Sequence, residues 1–152
     1  MQKLASVTKS PLLPSVKEQR DRAHIWGVES IIFQEMDVSP IWENDLSNIA
    51  RSTEWYAYLY GHRDMLKVFT HDPGKKRCVF YMTPLCIGLT ARVARIVAKD
   101  LFCHGVSLYL HTTNKTYSDI ESLDGVLDQV RRDRKAAHQR RFRALKATRP
   151  QA

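Results

Sequence analysis

The chain has 152 residues, with 24 Lys/Arg against 16 Asp/Glu, a formal net charge of +8 and 43% hydrophobic residues. That length supports one core burying roughly two thirds of the unfolded surface. No apolar run approaches the roughly 20 residues of a membrane span, and MQKLASVTKSPLLPSVKEQR lacks the apolar stretch of a secretory signal.

Residues 1–16 carry Pro11 and Pro14 among scattered Ser and Lys without a sustained period. They read as an N-terminal arm, and with a short polar helix at 16–22 they form a segment 1–24 outside the folded body. No acidic residue precedes Glu18, which leaves a processed organelle presequence open. The run IWGVESIIFQEMDV reads as a first strand centred on Ile31–Phe33. Ser39-Pro40, with Glu43 behind it, then opens a helix over 40–51 that shows Trp42, Leu46 and Ile49 on one face. Trp55, Ala57 and Leu59 alternate with Tyr56, Tyr58 and Tyr60, the pattern of a two-faced strand. A turn at 61–64, a strand over 65–71 and a type II turn at Asp72-Pro73-Gly74-Lys75 follow. Three antiparallel strands are thus expected to lead into the centre of the fold.

That centre is Arg77 to Asn114. CVFYMT has the β-branched and aromatic content of a buried strand. Leu89, Val93, Ile96, Val97 and Leu101 recur at helical spacing, with Arg92, Arg95 and Lys99 opposite. Gly105 closes the helix, and VSLYL resumes a strand. The pattern predicts a β-α-β unit in which Val79–Met82 and Val106–Leu110 are parallel neighbours and helix 89–103 covers one sheet face. Its helix N-terminus is the place where an anionic ligand would be sought. Ser118 and Glu121 then form a capping box, and Leu123, Val126, Leu127 and Val130 face the core of a last helix.

The charge is unevenly placed. Residues 1–130 hold 15 basic and 15 acidic side chains, whereas 131–152 hold nine basic and one acidic, Asp133. A neutral domain over 25–130 therefore carries a basic C-terminal helix or tail over 131–152. Its Arg131, Arg132, Arg134, Lys135, Arg140, Arg141, Arg143 and Lys146 are candidate contacts to a polyanion, a nucleic acid or an acidic protein surface. Beyond Val130 the apolar side dwindles to Ala137, Phe142 and Leu145, too few anchors for docking on a membrane.

The order of elements, strand, helix, three antiparallel strands, helix, strand, helix, resembles the GNAT acyltransferases over about residues 28–130, an α/β (α+β) fold with a mixed sheet. In that family a loop of Arg/Gln-x-x-Gly-x-Gly/Ala holds the pyrophosphate of acyl-coenzyme A. The matching stretch here is Leu85-Cys86-Ile87-Gly88-Leu89-Thr90. Gly88 matches, while Leu85 and Thr90 stand where the family has a basic or amide residue and a small one. The resemblance implies Gly88, Leu89, Thr90 and Asn114 as residues near acyl-coenzyme A, in a degenerate loop that predicts weak binding or none. Small size and the -CVFYMT- to -LTARV- spacing also look like the acetyltransferase-like internal virion proteins of short-tailed phages.

The chemistry a transferase needs is sparsely supplied. Glu35, Asp37, His62, His71 and Tyr117 are the available acids and bases, and none is singled out by spacing. No G-x-S-x-G, H-E-x-x-H or G-x-x-x-x-G-K occurs. Tyr56, Tyr58 and Tyr60 could stack bases, but no Lys or Arg interleaves them. Cys78, Cys86 and Cys103 are odd in number and lack C-x-x-C spacing, which reads as reduced cysteines of a cytoplasmic protein, or of a virion if phage-derived. Cys103 and His104 are sequence neighbours and point apart on a helix, so no shared metal is expected. The sequence thus points to a non-catalytic structural or binding protein without a cofactor, docking through its tail. An acetyl-coenzyme A-dependent N-acyltransferase and a nucleic-acid-binding accessory protein are the alternatives.

Overall fold

The computed structural model describes residues 1–10, 12–35, 75–88 and 90–148. The expected helix over 40–51, the strands over 55–60 and 65–71, the turn at 72–74, Asp37, the Tyr56/Tyr58/Tyr60 face, His62, His71 and Leu89 lie outside the described residues. Five strands, β1 (Gln2–Lys9), β2 (Ser30–Glu35), β3 (Arg77–Tyr81), β4 (Val106–Leu110) and β5 (Lys115–Tyr117), form one mixed sheet in the order β2-β1-β3-β4-β5. The first four run parallel, and only β5 is antiparallel to its neighbour β4. Among the described residues four helices accompany them: α1 (Val16–Trp26), α2 (Pro84–Ile87), α3 (Ala91–Cys103) and α4 (Ile120–Thr148).

The segment read as an arm is the middle of the sheet. β1 pairs β2 along Leu4–Lys9 and β3 along Gln2–Ala5, and Leu4 through Thr8 are buried. A strand covered on both faces shows no alternation, and here Ser6 and Thr8 take two of the interior positions. Residues 2–10 and 12–24 therefore belong to the folded body and are not an arm outside it. β3 is flanked by β1 and β4, so it is not the third strand of an antiparallel series. The Pro-Gly turn signal before it is local and carries no information about which strand becomes a neighbour.

The central unit forms as its pattern requires. Arg77–Tyr81 pairs in parallel with Val106–Leu110, and α3 lies between them in the chain. The Thr90 hydroxyl accepts from Val93 N at 3.1 Å to cap α3, as a threonine at that position is suited to do. The inner face of the helix buries Val93, Ala94, Val97, Ala98 and Leu101. At its far end His104 Nδ1 lies 2.7 Å from Asp100 O. Gly105 then takes a left-handed φ of 72°, the conformation in which glycine releases a chain from a helix. Strand alternation divides the interior between two faces. Leu4, Val79, Tyr81, Leu108 and Leu110 pack with α2, α3 and α4 on one; Ala5, Val7, Cys78, Phe80 and Tyr109 pack toward α1 on the other.

α1 is held by polar contacts as well as by the apolar packing of Val16, Ala23 and Trp26. Ser15 caps its start, Gly27 closes it with φ 93°, and Lys3 Nζ donates to Trp26 O at 3.2 Å. Trp26 stacks on Tyr109 with ring centroids 4.6 Å apart. The cap of α4 falls one residue later than its capping box suggests: Asp119 Oδ1 accepts from Ser122 N at 2.8 Å, while the Ser118 hydroxyl meets that of Ser107. Among the described residues no helix is long and apolar enough to cross a membrane.

Candidate functional site

The parallel strands β1, β3 and β4 end on one rim of the sheet. From β1 the chain moves to β2 on one side, and from β3 to β4 on the other, so the strand order reverses between β1 and β3. Open α/β sheets present ligands with a crevice at the carboxyl ends of strands at this kind of switch point. Here the switch point is built from Ser6, Thr8 and Ser10 of the β1 end, Tyr81 and Thr83 of the β3 end, and Gln19 of α1.

Gln19 is 0% exposed and fully engaged: its Oε1 accepts from Thr8 N at 3.1 Å, and its Nε2 donates to Thr8 O and Pro14 O, both at 2.8 Å. One side chain thereby fixes the end of β1, the loop after it and the first turns of α1. The Thr8 hydroxyl is buried at 1% exposure and meets no hydrogen-bond partner among the described residues. Burial holds the Tyr81 phenol well above its usual ionisation range, while its hydrogen bond with Ser6 pulls the other way, because a buried phenolate loses its hydration. Burial also raises the Cys86 thiol, partly offset by hydrogen bonds from Thr83 and Met82 and reinforced by the nearby Asp133 carboxylate. Burial pushes Cys78 up to about 11. Both interior cysteines are therefore neutral thiols at physiological pH, and neither is an activated nucleophile. No motif marked Thr8 or Gln19; once β1 is known to be a strand, a Gln one α-helical turn past a serine cap is the only signal for the latter.

The loop compared with the acyl-coenzyme A site has a structural role at each described position. Gly88 is extended, with φ −169°, and a Cβ placed on it would lie 2.5 Å from Ala94 N and 2.9 Å from Ala94 Cα, so it seats the loop directly on the first turn of α3. Thr90 spends its hydroxyl on the helix cap. Arg95 pairs with Asp124 of α4, and Arg92 projects into solvent. Asn114 lies on the same rim but takes a left-handed φ of 52° in the β4–β5 turn and accepts from Tyr109 Oη at 2.7 Å. Tyr117 is buried and donates to Thr113 Oγ1 at 2.9 Å, and Glu35 ends β2.

The basic residues sit on a continuous helix. α4 has 29 residues. A helix of that size is about 43 Å long, at a rise of roughly 1.5 Å for each residue. Arg131, Arg132, Lys135, Arg140, Arg143 and Lys146 are exposed, while Arg134 and Arg141 are half-buried. Arg134 Nε is buried, with no hydrogen-bond partner among the described residues, and desolvation lowers the guanidinium to about 10, still charged at neutral pH. Ala137, at 5% exposure, shares the core cluster of Leu85, Cys86 and Ile87, so the helix beyond Val130 does pack on the body where α2 follows β3. Phe142 and Leu145 are 61% and 48% exposed. The structure thus brings the eight basic candidates onto one helix that starts its basic half beside the rim, and leaves Gly88 and Thr90 as packing and capping residues. The chain matches no family model and no curated protein sequence.

Proposed function

We propose that this chain is a non-catalytic binding protein that docks to a phosphate-bearing polyanion through α4, with nucleic acid as the partner. The observation that carries the reading is the composition of the exposed half of α4. Residues 131–148 contain six Arg and two Lys against the single acid Asp133, and six of those eight are exposed. A helix that needed only to be solvated would mix signs along its face; a one-signed array repels itself until a counter-charge arrives. Arginine outnumbers lysine, which suits bidentate contact with phosphate. Within a virion, the setting implied by the resemblance to phage internal proteins, the packaged genome is such a polyanion; in a cytoplasm, RNA or DNA would serve.

Binding is preferred to acyl transfer on the α4 array and on the state of the Gly88 loop. The Thr90 hydroxyl already occupies a donor at the α3 N-terminus, and Arg95 is engaged by Asp124. Acyl transfer is the second reading, and micromolar calorimetric affinity for acetyl-coenzyme A would restore the enzyme.

The experiment is fluorescence anisotropy with a 20-base-pair duplex across a salt series. Affinity should fall linearly on a log–log plot, with a slope near −0.9 per phosphate neutralised. Replacing Arg131, Arg132, Arg140 and Arg143 together by Gln should weaken binding and reduce the slope in magnitude by up to about 3.6. Salt-insensitive binding, or equal binding by the variant, would overturn the proposal. Tighter binding to poly-glutamate than to duplex would assign an acidic protein instead.

A further inference from the structure

The inner stripe of α4 changes chemistry halfway along. Leu123, Leu127, Val130, Arg134 and Ala137 recur at alternating spacings of four and three, which sets all five on one side of the helix. Leu123, Leu127 and Val130 are buried in the cluster shared with α2 and α3, and the Arg95–Asp124 pair ties the same half to α3. The next stripe position is Arg134, a charged side chain whose buried Nε has no partner among the described residues. Ala137 follows and contributes one methyl; the next stripe residue, Arg141, is half-buried. Apolar burial thus holds residues 120–130 firmly, whereas desolvation of the Arg134 guanidinium opposes the docking of 131–148.

Beneath this second half lies α2. Cys86 of α2 is buried in the same cluster as Val130 and Ala137, and it feels the charge of Asp133. Cys78 is buried on the opposite face of the sheet, toward α1, and Cys103 is exposed. Three cysteines therefore report on three events: contact with solvent, opening of the α4–α2 seam, and unfolding of the sheet.

We propose that α4 is built as a fixed half, 120–130, and a releasable half, 131–148, whose seam with α2 opens at Arg134, and that a bound polyanion favours the open form. The released helix offers the Arg134 guanidinium to phosphate, so a ligand that contacts it shifts the balance by its differential affinity for the two forms. Opening of the seam does not depend on the function proposed above; the coupling to a polyanion rests on it.

Thiol labelling of the full chain under native conditions, followed by mass spectrometry, separates the two. Cys103 should react first, Cys86 at least about 10-fold faster than Cys78, and Cys78 only at the rate of global unfolding. Arg134→Leu should continue the apolar stripe, slow Cys86 to the rate of Cys78 and raise Tm by a few degrees. Addition of the 20-base-pair duplex should accelerate Cys86 and leave Cys78 unchanged. Equal rates for Cys86 and Cys78 in the unmodified chain, or an Arg134→Leu variant with unchanged or faster Cys86 labelling, would overturn the seam. A seam that opens but ignores the duplex at saturating concentration would overturn the coupling alone.

Discussion

Gly88→Ala places a methyl where the structure has no room for one. The Cβ would fall 2.5 Å from Ala94 N and 2.9 Å from both Ala94 Cα and Val93 C. All three are backbone atoms of the first turn of α3, held in place by the bonds Ala94 N→Thr90 O at 2.9 Å and Val93 N→Thr90 Oγ1 at 3.1 Å. Ordinary van der Waals contact of about 3.5 Å would require that turn, or the loop, to move by roughly 0.6–1 Å. Overpacking of this kind costs about 1–3 kcal/mol. At about 2–4 °C per kcal/mol for a chain of this size, Tm should fall by about 2–12 °C. The backbone is extended at Gly88, so the cost is steric and not conformational. Gly125 makes the matched control: it lies within α4, and a Cβ there meets nothing within 4 Å. Gly125→Ala should therefore stabilise by about 0.5–1 kcal/mol. Differential scanning calorimetry on both variants reads the opposite signs. A Gly88→Ala variant as stable as the parent would refute the packing argument and reopen a ligand-binding role for the loop. It follows that loss of acetyl-coenzyme A binding on Gly88→Val would say little, because the larger side chain disturbs α3 first.

Three further outcomes follow from single residues. Gln19→Leu removes the acceptor for Thr8 N and the donor to Thr8 O and Pro14 O; at about 1–3 kcal/mol per buried group left unpaired, urea denaturation should show a loss of at least about 3 kcal/mol. Val97→Asp buries a carboxylate on the inner face of α3 and should abolish the cooperative melt, seen by near-ultraviolet circular dichroism. Hydrogen bonds from Ser122 hold the Asp119 carboxyl below its ordinary value of 3.8. Its contribution to stability is thus complete above that value and is lost as pH falls through the lowered folded-state value. Asp119→Ala should flatten this acid limb in melts taken between neutral pH and pH 2.

The β3-α3-β4 unit was legible because its signals are local and agree: a β-branched run, an apolar stripe at helical spacing, a closing glycine and a second strand. β1 was not, since sequence periodicity reports the difference between two faces, and a strand buried on both has none. Its interior Ser6 and Thr8 and the following Pro11 imitate a polar arm, and only the partners Gln19, 11 residues after Thr8, and Tyr81, far along the chain, reveal why those groups lie inside. The basic helix was legible as composition. Its division at Arg134 was not, because the helical stripe of Leu, Leu and Val continues through an arginine whose burial depends on α2. Gly88 reads as a place where backbone approaches a ligand's phosphates; the close approach the structure shows there is to the first turn of α3, which no periodicity in the sequence reports.

Thr8 and Arg134 are two described positions where the sequence puts a polar group against the grain of its surroundings, and Thr8 permits the cleaner measurement. Its hydroxyl is 1% exposed and unpartnered among the described residues, whereas its backbone N–H and carbonyl are both satisfied by Gln19. Thr8→Val keeps the β-branched shape and the strand preference, and it replaces the hydroxyl with a methyl of similar size. An unpaired buried hydroxyl costs about 1–3 kcal/mol, so valine should recover a part of that and raise Tm by about 2–6 °C. The parent chain and the variant are compared by thermal melt at neutral pH, with the Gln19 network left intact in both. A lower Tm for the variant would refute the reasoning, since it would mean that the hydroxyl is bonded in solution. A higher Tm would mark the end of β1 as a position where stability has been given up. Such departures from local consistency concentrate at sites retained for a purpose other than folding, and this one lies at the switch point of the sheet.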